Sequence, residues 1–314
     1  MQVRTNRESQ EQGFSYIGDD PEGPIYPGWV PYIPMSTALA YFFCDEGFVI
    51  AADGRNTLVS AKGREIVSEQ AQKIFPVHGI EREAAFSFTG RTTLFDPADD
   101  HKVFDFPLEF SRATRDVQSE IMNVKPFVSA VCSLVQERLD LTIQGAGIGK
   151  LPSRRDRGNP SEHNIITIHL DGYFSGYPVR VGAHFYHVQQ KISWDTNAEH
   201  TLEGINRYWT RLFGSDKIAS LLLHTEDTRL SGYRTEACRR VAACCADSSI
   251  NMTLQNAIEA GRNFIAACSD DSLREIDPEN CRGIGGHIHI ATITPKAGFQ
   301  WASGFEPMDA ATQP

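Results

Sequence analysis

The sequence predicts an α+β fold, in which strands and helices come in separate runs rather than alternating. Three observations lead there. Paired apolar strand runs open the ordered part of the chain between residues 36 and 88. Helical periodicity then takes over through 107–143 and again between 218 and 268. β-Branched and alternating segments return at 164–192 and close the chain from Gly285 to Thr294. Segregated runs of this kind argue against an alternating βαβ parallel sheet.

The first run justifies itself residue by residue. Thr37-Ala38-Leu39-Ala40-Tyr41-Phe42-Phe43 is an apolar strand, Asp45-Glu46-Gly47 a turn, and Phe48-Val49-Ile50-Ala51-Ala52 a second strand, so the two form a hairpin. Residues 54–73 are polar, with short apolar edges at Leu58-Val59 and Ile66-Val67. Lys73-Ile74-Phe75-Pro76-Val77 and Glu83-Ala84-Ala85-Phe86-Ser87-Phe88 read as further strands. Leu108, Ser111, Val117, Ile121, Val128, Cys132, Val135 and Leu139 recur at helical spacings, and Pro126 is expected to break that run in two. A Gly/Arg/Pro loop spans 145–160. Strands follow at 164–170 and 180–192, then a short helix at 198–212 and helices at 218–223, 233–246 and 252–268, the last capped by Asn251-Met252-Thr253. A short strand near Phe299–Trp301 ends the pattern. Residues 1–35, rich in Pro, Gly and acidic turns, read as an N-terminal extension or prosegment, residues 36–305 as the folded domain and 306–314 as a tail.

Bulk properties narrow the function classes. The 314 residues carry a net charge of -10, a pI near 5.5 and a mean hydropathy of -0.32. An acidic chain lacks the basic footprint of a nucleic-acid binder. No run is apolar and long enough to span a bilayer, and the N-terminus shows no secretory h-region. The seven cysteines form no C-x-x-C pair, which fits a reducing, cytoplasmic compartment. Gly145-Ala146-Gly147-Ile148-Gly149-Lys150 fails as a phosphate loop, since Gln144 stands where a glycine is needed and Leu151 where Ser or Thr is needed. Asp96-Pro97-Ala98-Asp99-Asp100 lacks the spacing of a calcium loop. His287 and His289 share one face of a strand but have no evident third ligand. His184 and His187 fall on opposite faces. No metal and no cofactor are expected.

The candidate chemistry rests on a hydroxyl residue at a strand start, Ser36 or Thr37, with Asp53 and Arg55 after the second strand and Lys73 opening a later one. A lysine ammonium near a hydroxyl lowers the cost of deprotonating it, and an aspartate beside the lysine holds its charge and orientation. The bland alternative stays open: Asp53 is a turn residue, Lys73 its structural partner, and the hydroxyls ordinary strand residues.

The stretch from Ser36 through Ala51-Ala52-Asp53-Gly54-Arg55, the Gln72-Lys73-Ile74 strand, the Phe88-Thr89-Gly90 turn and Gly285-Gly286-His287-Ile288 together resemble a mature proteasome β-subunit, a proteasome-type N-terminal nucleophile hydrolase. The resemblance covers residues 36–90 well and 250–293 loosely. It implies a four-layer αββα sandwich, two antiparallel sheets flanked by helices. It implies a threonine/serine-type peptidase whose nucleophile is Ser36, with Thr37 as the fallback, freed by removal of the preceding residues so that its α-amino group takes the proton. Asp53 and Lys73 would tune that exchange, Arg55 would brace it, the Gly90 N–H would face the oxyanion, and Gly214-Ser215 would assist. The family's late supporting Asp and Ser fall on Cys281 and Ile284, which match neither. The partners implied are a polypeptide substrate and other subunits of a ring. The alternative is a non-catalytic ring subunit or scaffold of the same fold.

Overall fold

A chain segment that is apolar on both sides needs cover on both sides, and the opening hairpin is built that way. The structure, a computed structural model, describes residues 37–60, 63–79, 82–90, 92–95, 102–117, 123–145, 162–188, 191–196, 200–201, 209–247 and 249–307. The segment 1–36, the acidic turn 96–100, the Gly/Arg/Pro loop from 146 to 160 and the end of the tail after 307 lie outside the described residues. In chain order the strands are β1 (Leu39–Cys44), β2 (Gly47–Asp53), β3 (Asn56–Ser60), β4 (Gly63–Ser68), β5 (Ile74–Gly79), β6 (Arg82–Gly90), β7 (Thr93–Phe95) and β8 (Lys102–Asp105). Helices α1 (Phe106–Asp116) and α2 (Val124–Gly145) follow. Then come β9 (Glu162–Phe174), β10 (Tyr177–Val188), β11 (Lys191–Thr196), β12 (His200–Thr201) and β13 (Trp209–Phe213). The chain ends with α3 (Asp216–His224), α4 (Glu236–Ala246), α5 (Leu254–Ser269), the short α6 (Pro278–Cys281), β14 (Ile288–Thr294) and β15 (Gly298–Trp301).

This is a mixed α/β chain with several antiparallel sheets and six α-helices among the described residues. One sheet has the order β13-β1-β2-β14-β15, and the second runs β11-β10-β9-β6-β5 with β12 beside β10. β3–β4 and β7–β8 are separate two-stranded ribbons. Strand alternation divides the apolar side chains into three clusters. Ala38, Ala40, Phe42, Val49 and Ala51 pack with Ile218, Val241, Ala257, Phe264 and Cys268 of α3, α4 and α5. Leu39, Tyr41, Phe48, Ile50 and Ala52 point the other way, where they meet Ile74, Ala85 and Tyr173 of the second sheet. Phe86, Phe88, Ile166, Ile168 and Phe185 on that sheet's far side pack with Phe110, Phe127, Val131 and Val135 of α1 and α2.

Local chemistry sets the helix ends. Asp105 caps α1 by accepting from the Leu108 N–H at 3.1 Å, with Pro107 in the first turn. Thr253 caps α5 in a capping box with Asn256. Three expectations change. Pro126 sits in the first turn of α2, where a missing N–H costs nothing, so the two helices divide before Val124 rather than at the proline. The polar run after Asp53 is a β3–β4 ribbon, Thr57 opposite Ile66. The helix expected at 198–212 is replaced, among its described residues, by β12 and β13. β13 completes the open edge of β1 with Leu39 opposite Phe213, a long-range pairing no local pattern announces.

Alanines on the helix-facing side of β1 and β2 let α5 approach closely. A Cβ built at Gly261 of α5 would lie 3.0 Å from the Ala51 Cβ and 3.2 Å from Phe42 Cε2. Gly261→Val is expected to overpack that contact and destabilise the protein by about 1–3 kcal/mol, read as a lowered midpoint in urea unfolding.

Candidate functional site

Asp53 is the last residue of β2 and is fully buried. Its carboxylate accepts hydrogen bonds from four segments. Oδ1 takes the Lys73 ammonium at 2.7 Å and the Ala38 N–H at 2.9 Å. Oδ2 takes the Gly285 N–H at 3.2 Å and the Arg55 N–H at 3.3 Å. Ala38 also accepts from the Asp53 N–H at 3.1 Å, so the two residues are tied reciprocally. Burial pushes the Asp53 carboxyl above its ordinary range. The Lys73 ammonium and the Ala38 and Gly285 N–H groups oppose that shift. Lys73 directly precedes β5 and is itself buried.

A second layer holds this carboxylate in place. The Arg55 guanidinium binds Glu69 through Nε at 3.1 Å and donates from one terminal nitrogen to the Ile284 carbonyl at 3.2 Å. The Arg55 N–H also donates to the Gly285 carbonyl at 2.8 Å. Gly285-Gly286 is required here: with φ of +154° and +77°, added Cβ atoms would meet the Arg55 guanidinium at 2.5 Å and the Glu69 carbonyl at 2.4 Å. The pair forms a turn into β14, and the strand itself begins at Ile288, later than the alternation predicts.

The predicted site residues are distributed unevenly around this centre. Asp53, Lys73 and Arg55 come together as above. Thr37 is half-buried and immediately precedes Ala38, so one peptide unit separates it from the Asp53–Lys73 pair. Ser36 lies outside the described residues. Gly90 ends β6 at φ +97° opposite Ile166, three residues beyond Ser87, which pairs with Ile74. Gly214 abuts Ala38: its added Cβ would lie 3.1 Å from the Ala38 Cα. Ser215 caps α3 by accepting from the Ile218 N–H at 3.1 Å and donates to Asp277 Oδ2 at 2.7 Å.

Asp277 is a residue that sequence reasoning missed. It is buried, and it also accepts from the Asn280 amide at 3.0 Å. The Asp277-Pro278 pair is a helix-start signal, but nothing in the linear sequence joins it to Ser215, 62 positions away. The positions expected for a late supporting Asp and Ser, Cys281 and Ile284, are instead buried apolar-type residues of the helix-side core.

The histidine pair is organised differently from a metal site. His287 precedes β14 and its Nε2 donates to the Glu306 carbonyl at 3.1 Å. His289 is wholly buried, its ring 5.0 Å from that of His287. Among the described residues no group of three or more His, Cys, Asp or Glu could hold a metal ion, and no helix is long and apolar enough to cross a membrane.

The comparisons with known proteins correct one expectation. No protein-family model matches the chain, and no curated protein matches it. Among solved structures the chain is similar to one titled Anbu (Gly-1) mutant from Hyphomicrobium sp. strain MC1, at 11% identity and a TM-score of 0.40, over 85% of this chain and 84% of that one. A likeness that weak carries no argument. The assignment to the proteasome β-subunit family, drawn from residues 36–90 and 250–293, therefore does not stand: the local matches do not extend to a family match over the chain.

Two outcomes follow from the electrostatics. Lys73→Met leaves Asp53 a buried carboxylate without its counter-charge and is expected to cost about 3–5 kcal/mol in denaturant unfolding, part of which Asp53→Asn in the same chain restores. Burial, aided by His287 and Lys73, lowers His289 to about 4. The unfolded chain binds that proton near the ordinary pKa of about 6.5, so stability is full above it and is lost as pH falls toward 4. His289→Gln is expected to flatten that limb of the pH–stability curve, by at most about 3 kcal/mol.

Proposed function

We propose that the chain is a threonine-type amide-bond hydrolase in which Thr37, exposed by removal of the residues before it, is the nucleophile. One observation carries this reading: Asp53 Oδ1 receives both the Lys73 ammonium at 2.7 Å and the N–H of Ala38 at 2.9 Å. Thr37 is the residue just before Ala38, one peptide unit from this pair, which supports giving it the nucleophile's role. The order of preference between the two hydroxyls reverses for the same reason, and the cut falls after Ser36.

The chemistry runs through this chain's own groups. The freed α-amino group of Thr37 accepts the Oγ proton as Oγ attacks a peptide carbonyl. The Lys73 ammonium lowers the energy of the developing alkoxide, and Asp53 holds that ammonium in orientation. The Gly90 N–H is assigned the oxyanion. The ammonium of Thr37 then protonates the leaving amine, and water, deprotonated by the same amino group, hydrolyses the ester left on Oγ. The substrate class is a polypeptide. The three apolar clusters support a layer order of helices, sheet, sheet, helices around this site.

A second reading is a non-catalytic structural subunit. It is favoured by the saturation of Asp53, since three of its four bonds hold backbone segments together whatever happens at Thr37. An intact mass decides between them. Active protein is expected to begin at Thr37, and Thr37→Ala is expected to lower peptide hydrolysis by on the order of a thousandfold or more without moving the melting temperature. Ser36→Ala is expected to leave the rate unchanged. Full hydrolysis by a chain still beginning at Met1 would sink the hydrolase mechanism.

A further inference from the structure

The two sheets meet over a polar patch as well as an apolar one. On β9, His169 and Asp171 stand opposite Ser87 and Ala85 of β6, and Arg180 of β10 stands directly across from Asp171. Tyr41 of β1 marks where this face points. Its hydroxyl lies 2.7 Å from Ser87 Oγ, its ring centroid 5.3 Å from that of His169, and the Arg180 guanidinium 4.6 Å over its ring. Asp171 is wholly buried, and Arg180 and His169 nearly so.

Asp171 and Asp53 are both buried carboxylates with a cation nearby, yet they are held in opposite ways. Asp53 accepts four hydrogen bonds. Neither oxygen of Asp171 accepts one among the described residues, and the Arg180 Nε stands 3.5 Å from Oδ1. A carboxylate buried without donors keeps most of its desolvation penalty, and a cation at that separation offsets only part of it.

The charged and titratable groups around it are Arg180 and His184 on β10, Arg211 on β13, His169 and Tyr173 on β9, Tyr41 on β1 and Asp195 across from His184 on β11. Burial first, then Arg180 and Arg211, hold His169 well below the usual histidine range, and burial with Arg211 lowers His184 against the opposing pull of Asp195. Burial raises Asp171 to about 6 against the pull of Arg180 and Arg211.

We propose that Asp171 and Arg180 form an acid-responsive joint between the two sheets, ion-paired at neutral pH and broken when Asp171 takes up a proton. Arg180 then keeps its stack on Tyr41 but no longer faces a charge on Asp171. The change is felt on β1, the strand that Thr37 leads into. This joint is independent of the hydrolase reading.

Infrared difference spectroscopy of the full chain, with carbon-13 in its aspartates, tests it. A protonated-carboxyl band is expected to grow in with a midpoint near pH 6 and to be missing from Asp171→Asn. In the range between about pH 4 and about pH 6 the folded chain holds this proton and the unfolded chain does not, so acid favours the wild type. The melting temperature of wild type relative to Asp171→Asn is therefore expected to rise as pH falls from about 8 to about 5. A band persisting in Asp171→Asn, a midpoint in the ordinary carboxylate range or a difference flat in pH would overturn the proposal. If Asp171→Asn fails to fold, Arg180→Lys serves instead: a shifted midpoint supports the joint, and an unmoved one overturns it.

Discussion

The Asp53 carboxylate ties together four stretches of chain that are far apart in sequence: the entry to β1, the exit from β2, the entry to β5 and the turn before β14. An ionised carboxylate has about four acceptor sites, and here all of them are filled. That saturation is what makes a fully buried charge tolerable. Removing any one donor would leave an acceptor with neither protein nor water to satisfy it. Ala38, Lys73 and the Gly285-Gly286 turn are all tied to this single group.

The bracing around it explains the backbone choices nearby. Arg55 reaches across to Glu69 and the Ile284 carbonyl, and the path it occupies excludes any side chain at Gly285. The residues between Asp53 and Lys73 form the β3–β4 ribbon, whose ends return to the centre through the Ala71 N–H on the Gly54 carbonyl and the His287 N–H on the Glu69 carbonyl. The ribbon is accommodated because it leaves and re-enters at one place. The Asp53 centre is thus braced from two directions, by the ladder of β2 with β14 and by the hydrogen bonds of the ribbon's base.

The contrast between the two buried aspartates shows how little residue type says by itself. Asp53 sits at a strand end, where free backbone N–H groups are to hand. Asp171 lies mid-strand, where neighbouring N–H groups are already used in the ladders to β6 and β10. One is held by donors; the other accepts no hydrogen bond among the described residues and has the Arg180 guanidinium at longer range.

Much of the local structure was legible, because a strand's alternation, its turn residues and a helix cap are all local. The β1–β2 hairpin, the strand after Lys73 and the α5 cap at Thr253 all announce themselves. Asp53 and Lys73 were legible too, as a charge after one strand and a charge before another. The likeness of residues 36–90 to a known family was equally local, and it did not extend over the chain. The pairing of Ser215 with Asp277, the strand at Trp209–Phe213 and the turn at Gly285-Gly286 were not legible. Each exists only because distant segments meet: an edge strand to be completed, a guanidinium path to be left clear, a hydroxyl and a carboxylate brought together across sixty residues. Sequence alone determined which segments are strands, helices and turns wherever short-range periodicity dominates. Only the tertiary structure decided which charges are buried and what pays for them, since desolvation and hydrogen bonding depend on neighbours that the chain order does not record.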